Sequence, residues 1–257
     1  MIEIDGEPAA PDDLTALALT NYGHFTTFLV EDGRVRGLDL HLERLIRDCR
    51  ILFDTALDPD RVRALARRAA PRQGRRVIRV TVFDPELNLA TIAAQARPRI
   101  LVTARPAPAD DPAPLRVRTA VHRRDQPEVK SVGLFPTLRL RRRAQQDGYD
   151  DVLFTGPDGD ILEGGTWNIG LVRDGRVVWP GGEVLAGTTR QLLRRAGGDP
   201  TDLVELSALG DHEAAFATHA TVGVRAITAI DDHEFPASHP AVTRLAELYR
   251  ALPASSL

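Results

Sequence analysis

The chain has 257 residues, a formal net charge of −3, 43% hydrophobic and 27% charged residues, and one cysteine. That length fits one large domain or two modest ones, and the near-neutral balance excludes the basic face of a nucleic-acid binder. The lone Cys49 excludes a disulfide framework and a multi-cysteine metal site. No run approaches the about 18 apolar residues of a membrane span, and the acidic start Met1–Asp13 lacks the apolar run of a signal peptide, so the expected compartment is the cytoplasm.

Phe25–Val30 and Arg34–Leu38 are predicted strands flanking Asp32-Gly33, a hairpin signal. Asp39 is expected to cap a helix running to about Phe53, with Leu42, Leu45, Ile46, Cys49 and Leu52 as its apolar stripe. A second helix is predicted over Asp60–Ala70, then strands over Arg76–Phe83, Ile92–Ala96 and Arg99–Ala104. Four prolines fall within Arg105–Pro114, too many for regular structure. Residues 107–114 therefore read as a linker between an N-terminal α/β domain, 1–106, and a C-terminal α/β domain, 115–257. The second part begins with a strand at Leu115–His122 and a basic helix at Pro136–Asp147. Two hairpins follow, Asp151–Thr155 with Asp160–Leu162 and Ile169–Arg173 with Arg176–Trp179. A short helix, Thr188–Ala196, ends at Gly197-Gly198. Strands at Ala214–Thr218 and Val224–Ile230 and a helix at Pro240–Ala251 complete a mixed α+β pattern.

Of the 33 basic residues, 32 are arginine and one is lysine, Lys130. Codon bias in a GC-rich genome accounts for the arginines. It also singles out Lys130, because a guanidinium stays protonated whereas an amine can lose its proton and attack a carbonyl. Glu163 lies between an apolar strand end and Gly164-Gly165, open to a ligand or simply a loop acid beside a turn. Gly187-Thr188-Thr189 precedes a helix. It could be an ordinary cap, or an anion site of free N–H groups, two hydroxyls and the positive dipole end. Arg44 could clamp a phosphate or face solvent. The seven histidines show no metal-ligand spacing, so no metal is expected, and there is no Gly-x-Ser-x-Gly elbow, Walker loop or dinucleotide fingerprint.

An amine, a carboxylate and a Gly-Thr-Thr anion cradle, in that order, suit pyridoxal phosphate, which needs a lysine, an acid for its ring nitrogen and a dianion receptor. On these motifs the chain resembles the class IV aminotransferases, the fold type IV pyridoxal-phosphate enzymes, from about Leu17 to Ile230. That family includes branched-chain aminotransferases, D-amino-acid aminotransferases and aminodeoxychorismate lyases. His41-Leu42-Glu43-Arg44-Leu45 places the family's phosphate arginine on Arg44, and its Schiff-base lysine falls on Lys130. Glu163 to Asn168 matches the Glu-Gly-x-x-x-Asn pattern, with Glu163 as the ring-nitrogen partner. Gly187-Thr188-Thr189-Arg190 matches the phosphate loop. Thr26 stands where the family's first motif carries an acid, and Ala220 where it carries a later threonine, leaving Thr221 as a further phosphate candidate. Phe135 replaces a tyrosine common in the branched-chain group.

The resemblance implies a two-domain fold with the cofactor in the interdomain cleft, and a homodimer that completes each active site. It also implies a cofactor set of Arg44, Lys130, Glu163, Asn168, Thr188, Thr189 and Thr221, with Lys130 as the catalytic residue. His24, Phe25, Arg124, Phe135 and Trp167 are substrate-pocket candidates by adjacency to these motifs. Three activities stay open at this point: transfer of an amino group between an amino acid or related primary amine and a 2-oxo acid; a lyase-type elimination using the same lysine; or a non-catalytic family member.

Overall fold

Apolar residues at every second position build the first sheet. In the computed structural model, which describes residues 1–257, one compact unit comprises Met1–Ala107, Val129–Gly133 and Pro253–Leu257. Its elements are β1 (Ile2–Ile4), β2 (Glu7–Pro8), α1 (Thr15–Leu19), β3 (His24–Glu31), β4 (Arg34–Arg36), α2 (Leu38–Phe53), α3 (Pro59–Ala69), β5 (Arg75–Phe83) and β6 (Arg99–Pro106). β3 and β5 pair antiparallel from His24 opposite Val82 to Glu31 opposite Arg75. Alternation then puts Phe28, Val30, Ile78, Val80 and Val102 on one face, where they pack with Leu42, Leu45 and Cys49 of α2 and Val62 and Leu65 of α3. At about 1.5–3 kcal/mol per fully buried side chain, this layer is the main stabilisation of the unit.

Local chemistry sets the helix boundaries. α2 begins two residues earlier than expected. Its N-cap is Gly37 at φ 65°, without a side-chain cap, and Asp39 sits inside the first turn. Glycine adopts that left-handed geometry at no steric cost, so Asp39 contributes through the helix dipole instead. α3 is capped by Asp58, whose side chain accepts from the Asp60 N–H at 2.9 Å, with Pro59 opening the helix. The strand expected at Ile92–Ala96 is absent. Asn88 accepts from the Ala90 N–H, and Thr91 both accepts from the Asn88 N–H and receives the Ala94 N–H on its carbonyl, so the segment folds into turns. Its alanines offer too little apolar surface to hold a strand against the core.

The other unit comprises Pro108–Glu128 and Leu134–Leu252. It contains β7 (Leu115–Val121), α4 (Phe135–Gln146), β8 (Asp151–Thr155), β9 (Ile161–Gly164), β10 (Asn168–Arg173), β11 (Arg176–Pro180), α5 (Thr188–Gly197), β12 (Thr201–Asp202), β13 (Ala214–His219), β14 (Gly223–Ile230), β15 (His233–Glu234) and α6 (Pro240–Ala251). Its sheet runs β12-β11-β10-β13-β14-β7-β8-β9, with β15 on β14. β7 and β8 are parallel, and the crossover between them carries α4, as parallel neighbours require. Trp179 and Phe216, both fully buried, meet edge to face at 5.3 Å beneath α5 and α6.

The domain reading of 115–257 as one C-terminal block differs from the structure at two places. The chain's end returns to the first unit, where β16 (Ala254–Ser256) pairs with β4, giving the order β16-β4-β3-β5-β6-β1-β2. Val129–Gly133, with Lys130, also belongs to that unit. The Phe25 N–H donates to the Lys130 carbonyl at 2.9 Å, the Val132 N–H to the Gly23 carbonyl at 2.9 Å, and His24 bridges Ser131. Pairing with a strand edge more than a hundred residues away leaves no local mark on sequence.

Candidate active site

In the first unit, α2 carries a buried polar row one turn apart. His41, Arg44 and Asp48 are 1%, 5% and 0% exposed. The Arg44 guanidinium donates to the Thr26 hydroxyl at 2.5 Å and approaches His41 Nδ1 at 3.3 Å, and Thr26 Oγ1 lies 2.7 Å from His41 Nδ1. Thr26, standing where an acid was expected, therefore leaves Arg44 without an ion-paired carboxylate, and its buried Nε has no partner. Burial pushes the Arg44 pKa down to about 10; Asp48 opposes the fall and Arg47 adds to it. A buried guanidinium with unused donors is costly unless an anion supplies the missing bonds.

Asp48 is a residue the sequence reading did not select. Its Oδ1 accepts from Arg47 at 2.7 and 3.1 Å, and its Oδ2 accepts from the Lys130 N–H at 2.9 Å. With the Lys130 carbonyl taken by Phe25, the backbone of Lys130 is tied on both sides, so its side chain starts from a defined position. Burial raises the Asp48 pKa, and the Lys130 N–H acts against that rise. The available signal was its i+4 spacing from Arg44 on one helix face.

The two adjacent pocket candidates on β3 point to opposite faces. His24 is fully buried on the α2 side, both ring nitrogens lack partners, and burial, then Arg44 and Arg47, lowers its pKa to about 3. It is thus a neutral core histidine and does not share a face with Phe25. Phe25 is 5% exposed, with the Lys130 Nζ 5.0 Å from its ring centroid.

In the second unit, Glu163 on β9 is 3% exposed, and its Oε1 accepts from Arg124 Nε at 2.6 Å and from the Leu185 N–H at 3.2 Å. Arg124 is therefore engaged with Glu163. Asn168 braces the loop that follows Leu185: its Nδ2 donates to the Leu185 carbonyl at 2.9 Å and its Oδ1 accepts from the Gly187 N–H at 3.0 Å. A Cβ at Gly187 would lie 2.1 Å from Asn168 Oδ1, so the close approach requires glycine. One loop thus ties Glu163 to the start of α5. There Thr188 and Thr189 are 3% and 2% exposed, their hydroxyls have no partner, and Gly187 offers no side-chain cap. Thr221 is also buried, but its Oγ1 lies 2.9 Å from His219 Nδ1. Trp167 packs over Gly164 and donates its Nε1–H to Asp151 at 2.9 Å, within a network that includes Arg141. Phe135, at the start of α4, is 75% exposed.

Buried hydroxyls without partners at a helix N-terminus, a buried arginine with no directly ion-paired carboxylate, a buried carboxylate and an amine on a doubly tied backbone are the donor types that pyridoxal phosphate needs. The residues present fit that group.

The amino-transferase class IV family matches residues 23–230. No curated protein sequence matches the chain. Among solved structures, a hypothetical aminotransferase from Mycobacterium tuberculosis, PLP-bound form, is 23% identical, with 98% of each chain covered and a TM-score of 0.81. The alpha-ketoglutarate and PMP bound form of a hypothetical aminotransferase from the same organism is 24% identical over 96% of this chain and 94% of that one, at 0.79. A fold IV transaminase from Curtobacterium pusillum is 27% identical over 91% and 88%, at 0.74. A branched-chain aminotransferase from Thermoproteus uzoniensis with norvaline is 21% identical over 97% and 93%, at 0.82. These share the mixed α/β fold type IV architecture. With a match over most of its length, the chain belongs to the amino-transferase class IV family and is an aminotransferase enzyme.

Proposed function

We propose that the protein uses pyridoxal phosphate to move an amino group from an amino acid or related primary amine to a 2-oxo acid, with Lys130 as the catalytic residue. Pyridoxal phosphate, when bound, supplies a carbonyl that condenses with amines and a ring that accepts electrons from the donor's Cα. The Lys130 Nζ would hold the group covalently. The same amine would serve as the base that takes the proton from the donor's Cα and returns one. Asp48 and Phe25, through the Lys130 backbone, orient that amine. Glu163 would hold a proton at the ring nitrogen, and Arg124 and the Leu185 N–H fix its carboxylate. Arg44 and, in the other unit, the start of α5 with the Thr188 and Thr189 hydroxyls would hold the phosphate; Asn168 shapes that loop, and Thr221 would be a further ligand.

The single observation that carries this reading is the pair of buried, partnerless hydroxyls at the start of α5. The alpha-ketoglutarate in the M. tuberculosis relative supports a 2-oxo acid acceptor. The family's dimeric active sites support a homodimer, and we place the enzyme in the cytoplasm; no helix is long and apolar enough to cross a membrane. The test uses the purified holoenzyme. Borohydride should fix the cofactor to Lys130, identified by peptide mass. Lys130→Arg, which keeps the charge but not the nucleophile, should fix none while melting within a few degrees of the parent. Covalently fixed cofactor in Lys130→Arg overturns the assignment.

A further inference from the structure

We infer that Asp151 is a positioning residue that sets the ring-nitrogen carboxylate and the phosphate loop together. It does so by holding the link from β9 to β10, residues 163–168, which carries Glu163 at one end and Asn168 at the other. This rests on the preceding reading of Glu163 and the start of α5 as cofactor residues, and it adds the residue that spaces them.

Asp151 opens β8 and is buried. Its Oδ1 accepts from Arg141 Nε and from the Val152 N–H, both at 2.7 Å. Its Oδ2 accepts from Arg141 Nη2 and from Trp167 Nε1, both at 2.9 Å. Both oxygens are thereby filled. Arg141 Nη2 also donates to the Thr166 hydroxyl at 2.8 Å. Two residues of the link, Thr166 and Trp167, are therefore tied to one ion pair between α4 and β8. The link's backbone closes on the same side: the Gly165 N–H donates to the Val152 carbonyl at 3.1 Å and the Gly164 N–H to the Trp167 carbonyl at 2.8 Å. A Cβ at Gly164 would lie 2.0 Å from the indole, and one at Gly165 3.1 Å from Arg141 Nη2. The glycine pair that reads in sequence as room for a ligand is filled by the protein itself.

Both ends of the link meet one loop, the loop that leads into α5. At the first end, Glu163 Oε1 accepts from the Leu185 N–H at 3.2 Å. At the last end, Asn168 holds the Leu185 carbonyl at 2.9 Å and the Gly187 N–H at 3.0 Å. A link free to drift would carry the Glu163 carboxylate away from the ring nitrogen and Gly187 away from the phosphate in the same motion. Asp151 opposes that drift because a buried, bidentate carboxylate–guanidinium pair with every bond made is costly to disconnect. Groups of a site need such rigid support to stay in working geometry.

The experiment compares the parent with Trp167→Phe and Asp151→Asn. Trp167→Phe keeps a ring over Gly164 and leaves the Asp151–Arg141 pair intact, so it removes one hydrogen bond and should melt within a few degrees of the parent. Calorimetry of inorganic phosphate on the cofactor-free protein reads the start of α5. Hydrogen exchange at the Gly187 N–H reads the brace from Asn168. The single-turnover rate of Cα proton transfer in the holoenzyme reads Glu163. In Trp167→Phe all three should move together: phosphate affinity down about 3- to 10-fold, Gly187 exchange faster and proton transfer slower by a similar factor, the scale of one hydrogen bond to a charged group. Asp151→Asn should shift them further in the same directions. Thr189→Val, by contrast, should weaken phosphate without quickening Gly187 exchange, and Glu163→Gln should slow proton transfer without weakening phosphate. In folded Trp167→Phe, Gly187 exchange within about 1.5-fold of the parent, or faster exchange with phosphate affinity or proton transfer unchanged, would make the network purely structural and overturn the proposal. A Thr189→Val protein with untouched phosphate affinity would overturn the reading of α5 instead, and Gly187 exchange with proton transfer would then decide the role of Asp151.

Discussion

Replacing Thr189 by Val should make the cofactor-free protein more stable and its hold on the cofactor weaker. The two effects have opposite signs because the hydroxyl serves only the ligand. Thr189 is 2% exposed and its Oγ1 has no hydrogen-bond partner. Leaving such a group unsatisfied costs about 1–3 kcal/mol, and valine of the same shape removes that cost. The rest of the site is insulated from the change: the loop before α5 is held by Asn168 on the Leu185 carbonyl and the Gly187 N–H, and neither bond involves residue 189. We expect urea unfolding of the cofactor-free variant to show about 1 kcal/mol or more of added stability at an unchanged m-value. The same hydroxyl donating to a phosphate is a charge-assisted bond of about 1.5–3 kcal/mol, so Kd for pyridoxal phosphate should rise about 10- to 100-fold. Fluorescence titration measures the second quantity. Thr188→Val should behave alike. A Thr189→Val protein that is less stable without cofactor, or that binds it as tightly as the parent, would refute the assignment of this helix start to the phosphate.

Glu163→Gln keeps the shape of the side chain, so the protein should retain cofactor while the single-turnover rate of Cα proton transfer falls about 100-fold or more; equal rates would remove Glu163 from the mechanism. His24 should make the fold acid-sensitive. Its folded pKa of about 3 lies below the ordinary 6.5, so the unfolded chain binds an extra proton between those values. Stability is therefore complete above pH 6.5 and lost as pH falls toward 3, by up to about 1.4 kcal/mol per pH unit. His41, fully buried and also shifted well below its ordinary value by burial, then by Arg44 and Lys130, adds to the same slope. A His24→Phe variant should show a shallower fall, by one proton, in urea unfolding series at several pH values; an unchanged slope would show that His24 is not held neutral.

The motif residues were legible because their chemistry is written locally. Gly187-Thr188-Thr189 opens α5 by its backbone requirements alone, and a sole lysine among arginines singles out Lys130 as a candidate nucleophile. Hairpin turns such as Asp32-Gly33, at φ 49° and 72°, and the helix ends at Phe53 and Gly198 follow from residue-level preferences that need no partner. Only tertiary structure could return Val129–Gly133 and the closing strand to the first unit, because strand pairing joins residues by edge geometry across any length of chain. Face assignment on β3 also waited for the partner strands. His24 and Phe25 are neighbours in sequence, and a period of two sends one into the core and the other beside Lys130. Asp48 carried little signal in the sequence. What distinguishes it is the Lys130 N–H on its carboxylate. A sequence determines which groups are available and which local backbone shapes they favour; only long-range packing decides which of them are left without a partner, and so available to a ligand.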